Sequence, residues 1–266
     1  MIALTDRTVA ITGAARGIGA AVAAEVVRRG GLVLLGDLDA EAVAAVATRL
    51  GPAALSGRLD VTDDASYAQW LELAQVDVLV SNAGVMWVGA YDEEPEVAGR
   101  RMMDVNFWGV VRGTRLVLPA MLHRGSGHVV TVASLASYIG PRGEATYGAT
   151  KHAVHGWTKA VRAELRGRGV DFTLVLPAVV ETELAAGTDS GGVPRLTPEQ
   201  VASAVVDAIE RPRFEVFVPA RTSALVRIFA LLPQTARDRM YERLVPDQVR
   251  STDRAARAAY EQRQVL

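Results

Sequence analysis

Short runs of consecutive apolar residues alternate along the chain with longer segments in which apolar residues recur every three or four positions. Five of the short runs predict strands, at residues 9–12, 32–36, 76–81, 128–133 and 171–176. Because these runs are mostly apolar throughout, both faces of each strand are expected to be buried. Segments that follow them predict helices, at residues 18–29, 41–50 and 147–168. The alternation favours a doubly wound parallel sheet in three α/β/α layers.

The pattern changes after residue 220, and this change gives the predicted domain organisation. Residues 1–220 form the predicted core of a single domain, and residues 221–266 form a C-terminal helical tail. The tail contains nine arginines and five acidic residues, whereas the whole chain has a net charge of −1. We expect the tail to pack on the core or on a neighbouring subunit. A basic amphipathic helix can also lie on a membrane surface, which is the less favoured alternative.

Composition excludes several classes of site and partner. The chain has no cysteine, which excludes disulfides, thiolate nucleophiles and cysteine-ligated metals. His152 and His155 lack the further ligands that a metal needs, so we expect no metal site. The near-neutral net charge provides no global field that would attract nucleic acid. No signal-peptide pattern and no apolar run of the ~20 residues needed to span a bilayer is seen, so we expect a cytoplasmic protein.

A glycine-rich segment follows the first predicted strand. The segment is TGAARGIG, residues 12–19. Its candidate cofactor-binding residues are Gly13, Arg16, Gly17, Ile18 and Gly19. Glycine permits the backbone turns and close approaches that a Cβ forbids, and the N–H groups of a helix that begins here can bind a pyrophosphate. The segment therefore indicates a dinucleotide site, although a tight strand–helix turn without a ligand would use similar residues.

Asp37 closes the second predicted strand and bears on the choice of nucleotide. A carboxylate at this position can accept hydrogen bonds from the adenosine ribose. It would repel the 2′-phosphate of NADP by about 1–4 kcal/mol at ~4 Å. Arg16 argues the other way, because its side chain is long enough to reach such a phosphate. We give more weight to the fixed charge of Asp37 and predict NAD rather than NADP.

Two further segments follow expected strands. In RLDVT, Asp60 and Val61 come after the next strand, and Asp60 either holds the adenine amino group or caps the helix that follows. In SNAG, Asn82, Ala83 and Gly84 end the fourth strand. The backbone there either passes close to a cofactor or forms a plain turn.

The motif YGATK places Tyr147 and Lys151 four residues apart in a chain with 27 arginines and only two lysines. On a helix these two side chains share a face. A phenol with an ordinary pKa near 10 needs a lower pKa to exchange a proton at neutral pH. One cation at ~4 Å supplies about 4 kcal/mol at an effective dielectric constant of ~20, which is enough. The pair is therefore a candidate acid–base site, although an ordinary amphipathic helix face can carry the same residues.

Together with Asn106 in DVNFWG and Ser134 in VASLAS, these motifs resemble the short-chain dehydrogenase/reductase family over roughly residues 5–220. The resemblance implies a Rossmann-like fold and an NAD(P)-dependent oxidoreductase. It implies that Tyr147 is the general acid or base and that Ser134 hydrogen-bonds the reacting oxygen. It further implies that Lys151 lowers the pKa of Tyr147 and holds the nicotinamide ribose, and that Asn106 supports a water linking Lys151 to solvent.

One segment departs from the family pattern, after the sixth strand. The family usually has Pro-Gly there, whereas this chain has Pro177 and Ala178. The resemblance implies that Val180 and Thr182 meet the nicotinamide carboxamide. The methyl group of Ala178 is expected to change the shape of the neighbouring substrate pocket and not the chemistry.

The resemblance also places the substrate wall, which is mostly apolar. The predicted substrate residues are Met86, Ser134, Leu135, Ala136, Tyr147, Ala178 and Leu184, with Arg195 as a single charge near the end of the last loop. Such a wall favours a hydrophobic secondary alcohol or ketone, although the same side chains could simply pack a lid.

Two other functions stay open. One is an NADPH-dependent ketone or 3-oxoacyl reductase, which Arg16 supports and Asp37 opposes. The other is a non-catalytic dinucleotide sensor or scaffold, which has no need for the set of Ser134, Tyr147 and Lys151. Family analogy implies a homodimer or homotetramer formed through the helices that carry Asn106 and Tyr147.

Overall fold

The computed structural model describes residues 3–5 and 7–266, with backbone only at residue 230. Within these residues, seven parallel strands form one sheet in the order β3-β2-β1-β4-β5-β6-β7. The strands are β1 (Thr8–Thr12), β2 (Leu32–Asp37), β3 (Ala54–Arg58), β4 (Val78–Ser81), β5 (Gly127–Val132), β6 (Val170–Pro177) and β7 (Glu215–Val218). The predicted doubly wound parallel sheet is confirmed.

Helices cover both faces of the sheet. They are α1 (Gly17–Arg28), α2 (Ala40–Leu50), α3 (Asp64–Leu71), α4 (Glu96–Met103), α5 (Gly109–Arg124), α6 (Ala145–Glu164), α7 (Pro198–Glu210), α8 (Thr222–Leu231), α9 (Gln234–Leu244), α10 (Gln248–Ser251) and α11 (Arg254–Gln264). A π-helical turn, Asp104–Trp108, joins α4 to α5. No helix of the described residues is both long and apolar enough to cross a bilayer.

The predicted elements differ from the observed ones mainly at their ends. The helix predicted over 147–168 is α6, which begins two residues earlier and ends at Glu164. The backbone after it turns through Gly167 and Gly169, both at a φ of 79°, a left-handed conformation that cannot continue a helix. The short strand β7 was not predicted, because its four residues begin with a glutamate and lack a long apolar run.

The central strands contribute to two cores because successive side chains point to opposite faces. On β1, Val9 and Ile11 pack in the core beneath α1, α2 and α7, whereas Ala10 packs in the core that contains Trp70 and Met121. All of β1 except Thr8 is buried. This two-sided burial explains why the strands read as near-continuous apolar runs.

The sheet places the candidate site by its topology. The chain order reverses between β1 and β4, which are neighbours in the sheet although β2 and β3 lie between them in sequence. A crevice forms outside the carboxyl ends of the strands at such a point, and ligands of open α/β folds bind there. The ends of β1, β2, β4, β5 and β6 carry the glycine-rich segment, Asp37, the SNAG segment, Ser134 and Pro177.

Candidate active site

A cavity of about 1600 Å³ runs along the carboxyl ends of the strands. It is lined by every residue that the sequence predicts for the site except Gly19, Asn106 and Arg195. The predicted residues that line it are Gly13, Arg16, Gly17, Ile18, Asp37, Asp60, Val61, Asn82, Ala83, Gly84, Met86, Ser134, Leu135, Ala136, Tyr147, Lys151, Pro177, Ala178, Val180, Thr182 and Leu184.

The glycine-rich segment turns so tightly that side chains would not fit at two positions. Gly13 has a φ of 65°, and a Cβ there would lie 2.9 Å from Cα of Ala83. A Cβ at Gly19 would lie 2.1 Å from the backbone oxygen of Gly13, so this glycine shapes the turn from beneath the cavity. Among the described residues, no side chain caps the N-terminus of α1. Its backbone N–H groups therefore suit a pyrophosphate.

Asp37 is held in place at the end of β2. Its carboxylate accepts hydrogen bonds from the backbone N–H groups of Ala15 (3.0 Å) and Asp39 (3.1 Å). The guanidinium of Arg16 is paired with Asp39 at 3.0 Å and with Glu183 at 3.2 Å. Arg16 is thus engaged by two carboxylates at the place where a 2′-phosphate would need it.

Asp60 does not cap the following helix, so that alternative is wrong. The cap of α3 is Asp63, which accepts from the N–H groups of Ala65 and Ser66. The carboxylate of Asp60 accepts instead from Thr62, through N–H at 2.9 Å and Oγ1 at 2.7 Å. Burial works to raise the pKa of Asp60, but these hydrogen bonds outweigh it and the pKa is lowered. Asp60 is an ionised group at the wall of the cavity.

The SNAG segment is fixed by hydrogen bonds to β1. The side-chain amide of Asn82 donates to the backbone oxygens of Thr12 and Gly13, each at 3.0 Å. The N–H groups of Asn82 and Ala83 donate to Oγ1 of Thr12 at 3.0 Å. The bonds join the carboxyl ends of β1 and β4, so this turn is part of the frame of the glycine-rich segment.

Asn106 lies behind the cavity in the π-helical turn and connects three elements. Its Oδ1 accepts from the N–H of Val85 at 2.8 Å, and its Nδ2 donates to the Val85 oxygen at 2.9 Å and to Oγ1 of Thr150 at 3.2 Å. A Cβ added at Gly84 would lie 3.3 Å from Oδ1 of Asn106 and 3.9 Å from Nζ of Lys151. Gly84 thus lies against both Asn106 and the Lys151 ammonium.

Tyr147, Ser134 and Lys151 come together at the wall of the cavity. Tyr147 is 7% exposed and Lys151 6% exposed. The Nζ atom of Lys151 lies 5.5 Å from the centre of the Tyr147 ring and donates to the Val132 backbone oxygen at 3.3 Å. Oγ of Ser134 accepts from the N–H of Ala136 at 3.1 Å, which leaves its O–H available as a donor.

The expected lowering of the Tyr147 pKa is not what this environment produces. Burial raises the pKa of Tyr147 above its usual range, the carboxyl of Glu144 adds to this, and the Ser134 hydroxyl works in the other direction. Burial also lowers the pKa of Lys151 to about 8. The desolvation of both groups outweighs the attraction of one ammonium, on which the predicted lowering rests. In the protein alone the phenol is protonated at neutral pH.

The substrate end of the cavity has the predicted apolar wall but not the predicted charge of Arg195. Met86, Leu135, Ala136, Ala178 and Leu184 line it as expected. Arg195 does not line it, because its guanidinium donates to the backbone oxygens of Ala185 and Thr188 within its own loop.

The C-terminal tail contributes to this end through residues that the sequence did not identify. Arg257 is fully buried and donates to the backbone oxygens of Leu184 (2.9 Å), Ala186 (3.0 Å) and Met86. It also pairs with Glu261 at 2.6 Å. Arg257 therefore joins α11 to the two loops that form the substrate wall.

Tyr260 is the residue by which α11 reaches the cavity. It is 6% exposed, lines the cavity and accepts a hydrogen bond from the N–H of Met86 at 3.2 Å. Burial raises its pKa to about 12. A single aromatic residue in the otherwise polar segment RAARAAYEQRQ is the signal that could have identified it.

Glu144 is a second residue that the motifs missed. It lines the cavity, precedes α6 and stands three residues before Tyr147. Its carboxylate makes no hydrogen bond or ion pair within residues 3–5 and 7–266. Burial raises the pKa of Glu144 to about 7, against a smaller lowering by the charge of Arg257. An acidic residue one helical turn before Tyr147 is visible in the sequence, but only the fold shows that it faces the cavity.

The two histidines beside Lys151 serve packing and hydrogen bonding. Nε2 of His155 lies 2.9 Å from Oε1 of Glu215, and Nδ1 of His152 lies 2.9 Å from the Gly148 oxygen. The part of the chain that the structure describes contains no group of three histidine, cysteine or acidic side chains arranged for a metal.

Comparison with known sequences matches residues 7–191 to the family described as short chain dehydrogenase. Among curated relatives, the ketoacyl reductase HetN of Nostoc sp. is 31% identical over 258 residues, which are 91% of this chain and 90% of the relative.

Among solved structures, a short-chain dehydrogenase/reductase of Burkholderia phymatum in complex with NAD superposes with a TM-score of 0.80 and 27% identity, covering 86% of this chain and 95% of that chain. A short-chain dehydrogenase of Burkholderia cenocepacia in complex with NADP has a TM-score of 0.80 and 25% identity, covering 92% of this chain and 100% of the other. Similar folds thus bind either nucleotide.

Proposed function

Because the chain belongs to the short-chain dehydrogenase family, we propose that it transfers a hydride between NAD(H) and a hydrophobic secondary alcohol or ketone. The family makes the chain an oxidoreductase. The nucleotide, the substrate class and the roles of individual residues are the proposal. The observation that carries it is the meeting of Ser134, Tyr147 and Lys151 in the same cavity as the glycine-rich segment.

The residues of the cavity fit a nicotinamide dinucleotide. The glycine-rich segment packs against the SNAG turn so closely that a Cβ at Gly13 would clash with Ala83, and the uncapped start of α1 offers N–H donors to a pyrophosphate. The Asp37 carboxylate accepts hydrogen bonds from the adenosine ribose hydroxyls, and Asp60 and Val61 hold the adenine. Lys151 holds the nicotinamide ribose. The other proposed cofactor contacts are Arg16, Gly17, Ile18, Gly19, Asn82, Ala83, Gly84, Tyr147, Pro177, Val180 and Thr182.

In the proposed mechanism Tyr147 donates or accepts the proton. When bound, the nicotinamide supplies or accepts the hydride at the reacting carbon. For ketone reduction the protonated phenol of Tyr147 donates to the carbonyl oxygen, and for alcohol oxidation the phenolate accepts the proton. The Ser134 hydroxyl donates a hydrogen bond to the same oxygen and stabilises its developing negative charge. Lys151 stabilises the phenolate, and Asn106, which bonds to Val85 and Thr150, supports a water that links Lys151 to solvent.

Several features support NAD over NADP. Asp37 is fixed by two N–H donors, so its charge cannot move away from the ribose. Arg16 is paired with Asp39 and Glu183. An NADP-dependent enzyme would need this arginine at the 2′-phosphate.

A second candidate is a reductase of 3-oxoacyl substrates. The similarity to the ketoacyl reductase HetN of Nostoc sp. favours it. So does the protonated state of Tyr147, which suits a proton donor in the reduction direction.

We also propose that residues 1–220 form the catalytic domain, that residues 221–266 pack on it, and that the protein is a homo-oligomer. The helix that follows Asn106 presents Trp108 (45% exposed) and Leu116 (38% exposed), which suit a subunit contact. The substrate is held among Met86, Leu135, Ala136, Ala178 and Leu184.

Tyr147→Phe tests the mechanism. Loss of the phenol removes the proton donor, so turnover is expected to fall by about 10²- to 10⁴-fold while the Kd for NAD stays unchanged. Turnover is followed by nicotinamide absorbance with a panel of steroid, aryl and aliphatic secondary alcohols, and Kd by calorimetry. Tyr67→Phe is the control, because this phenol is also buried but lies outside the cavity. Unchanged turnover in Tyr147→Phe would refute the assignment.

A further inference from the structure

The helix α8 exposes apolar side chains on one face. Residues 221, 224, 228 and 231 follow a spacing of three and four, which places them on one stripe of the helix. Ile228 is 55% exposed and Leu231 is 86% exposed, and Ala224, one turn before Ile228, is exposed as well. We define the α8 outer face as Arg221, Ala224, Arg227, Ile228 and Leu231.

The charge around this face has one sign. Residues 216–237 contain three arginines and no acidic residue. Arg221 and Arg227 are exposed, and within the described residues neither forms an ion pair. The third, Arg237, donates to the Leu232 backbone oxygen at 2.9 Å. Apolar side chains flanked by unpaired arginines are typical of helices that lie in the interface of an anionic membrane.

The opposite side of α8 lines the cavity. Thr222, Val226 and Phe229 line it, together with Leu225 at the edge between the two faces. Val226 also packs against the core formed by Leu174, Leu176 and their neighbours. The helix therefore lies between the cavity and the outside, with its apolar exposed residues on the side away from the cavity.

We propose that the α8 outer face docks onto a membrane surface that contains anionic phospholipids. The helix lies parallel to the surface, Ile228 and Leu231 enter the acyl boundary, and Arg221 and Arg227 pair with headgroup phosphates. The cavity then lies behind the membrane-bound helix, so that an apolar substrate from the lipid has a short path to it.

A second copy of the chain fits this face less well. In a symmetric pair the same patch meets itself. Two copies of the α8 outer face would place arginines against arginines, with no carboxylate among residues 216–237 to compensate. Anionic headgroups supply the charge that the face lacks.

The test measures binding of the purified full chain to vesicles by flotation, without any substrate. Vesicles of phosphatidylcholine with phosphatidylglycerol are expected to carry the protein, vesicles of phosphatidylcholine alone are not, and added salt is expected to release it. Ile228→Asp is expected to weaken vesicle binding by at least about tenfold, because a charge replaces the apolar side chain that enters the acyl boundary. Arg227→Glu is expected to weaken it by at least about fivefold.

Matched variants elsewhere serve as controls. Leu55→Asp changes a leucine that is 53% exposed on β3, and Arg166→Glu changes an exposed arginine after α6. Both are expected to bind like the natural chain. Absence of vesicle binding, or equal binding by Ile228→Asp, would overturn the proposal. So would a self-association, measured by light scattering, that Ile228→Asp abolishes without any vesicle binding. None of these outcomes depends on turnover, so a failure of the membrane proposal can be distinguished from a failure of the proposed reaction.

Discussion

The two ends of the cavity are built in different ways. At the nucleotide end, neighbouring parallel strands place the glycine-rich segment, Asp37 and the SNAG segment side by side, and short hydrogen bonds between adjacent turns fix them. At the substrate end, two loops are held by a buried arginine that comes from the far end of the chain. The first end belongs to the sheet, whereas the second depends on a contact between residues about 170 positions apart, such as Met86 and Arg257.

This difference predicts that the two ends can be damaged separately. A change at the substrate end should lower stability and turnover and leave nucleotide binding intact. A change at the nucleotide end should alter cofactor choice and leave the substrate loops in place.

The largest expected effect follows removal of the buried arginine. Arg257→Met removes the donor to the backbone oxygens of Leu184, Ala186 and Met86 and leaves the Glu261 carboxylate unpaired. Breaking one side of a buried ion pair costs about 3–5 kcal/mol. Thermal unfolding should show a fall in Tm of roughly 10 °C.

Arg263→Met is the control for this variant. Arg263 lies on the same helix but is 58% exposed at the side chain and reaches Glu183 only at 3.6 Å. Its loss should change the free energy of unfolding by less than about 1 kcal/mol. Calorimetry below Tm should show the same Kd for NAD in Arg257→Met as in the natural chain. A weaker Kd would mean that the two ends are one unit.

An intermediate effect is expected at the nucleotide end. Asp37→Ser removes the fixed carboxylate beside the ribose, and the repulsion of about 1–4 kcal/mol against a 2′-phosphate disappears with it. The ratio of kcat/KM for NADP to that for NAD should rise by about tenfold or more. An unchanged ratio would contradict the assignment of Asp37, and an unchanged Tm would show that the substrate end is unaffected.

Asp39→Asn sharpens this test. The substitution neutralises one partner of Arg16, and Oδ1 can still cap α2 by accepting from the Ala42 N–H. Arg16 is then held by Glu183 alone. A smaller rise in NADP use than in Asp37→Ser is expected. A larger one would show that the pairing of Arg16, and not Asp37, decides the nucleotide.

The same contrast explains which parts could be predicted from the sequence. Gly13, Asp37 and Asn82 act within a few residues of a strand end, so their spacing along the chain already carries the geometry. Arg257 and Tyr260 reach the site only because α11 returns across the molecule, which no local pattern encodes. The pKa of Tyr147 went in the opposite direction to the prediction because burial is a property of the fold. β7 was missed because its four residues depend on β6 for their pairing.

The smallest expected effect concerns Glu144, the carboxyl at the substrate end that lacks a fixed partner among the described residues. Burial raises its pKa from the ordinary 4.5 to about 7. Between these two pH values the folded chain holds a proton that the unfolded chain has released. The free energy of unfolding therefore falls as the pH rises through this range, and the full loss is present above about pH 7.

Glu144→Gln removes this titration, because its amide stays neutral. Its Tm should exceed that of the natural chain by a few degrees at about pH 8, with the difference vanishing near pH 4.5. Glu72→Gln, at an exposed position, should show no such difference between the two pH values. Equal Tm values for Glu144→Gln and the natural chain at both pH values would mean that this carboxyl is solvated like Glu72, and that the substrate end is more open to water than the buried Arg257 and Tyr260 indicate.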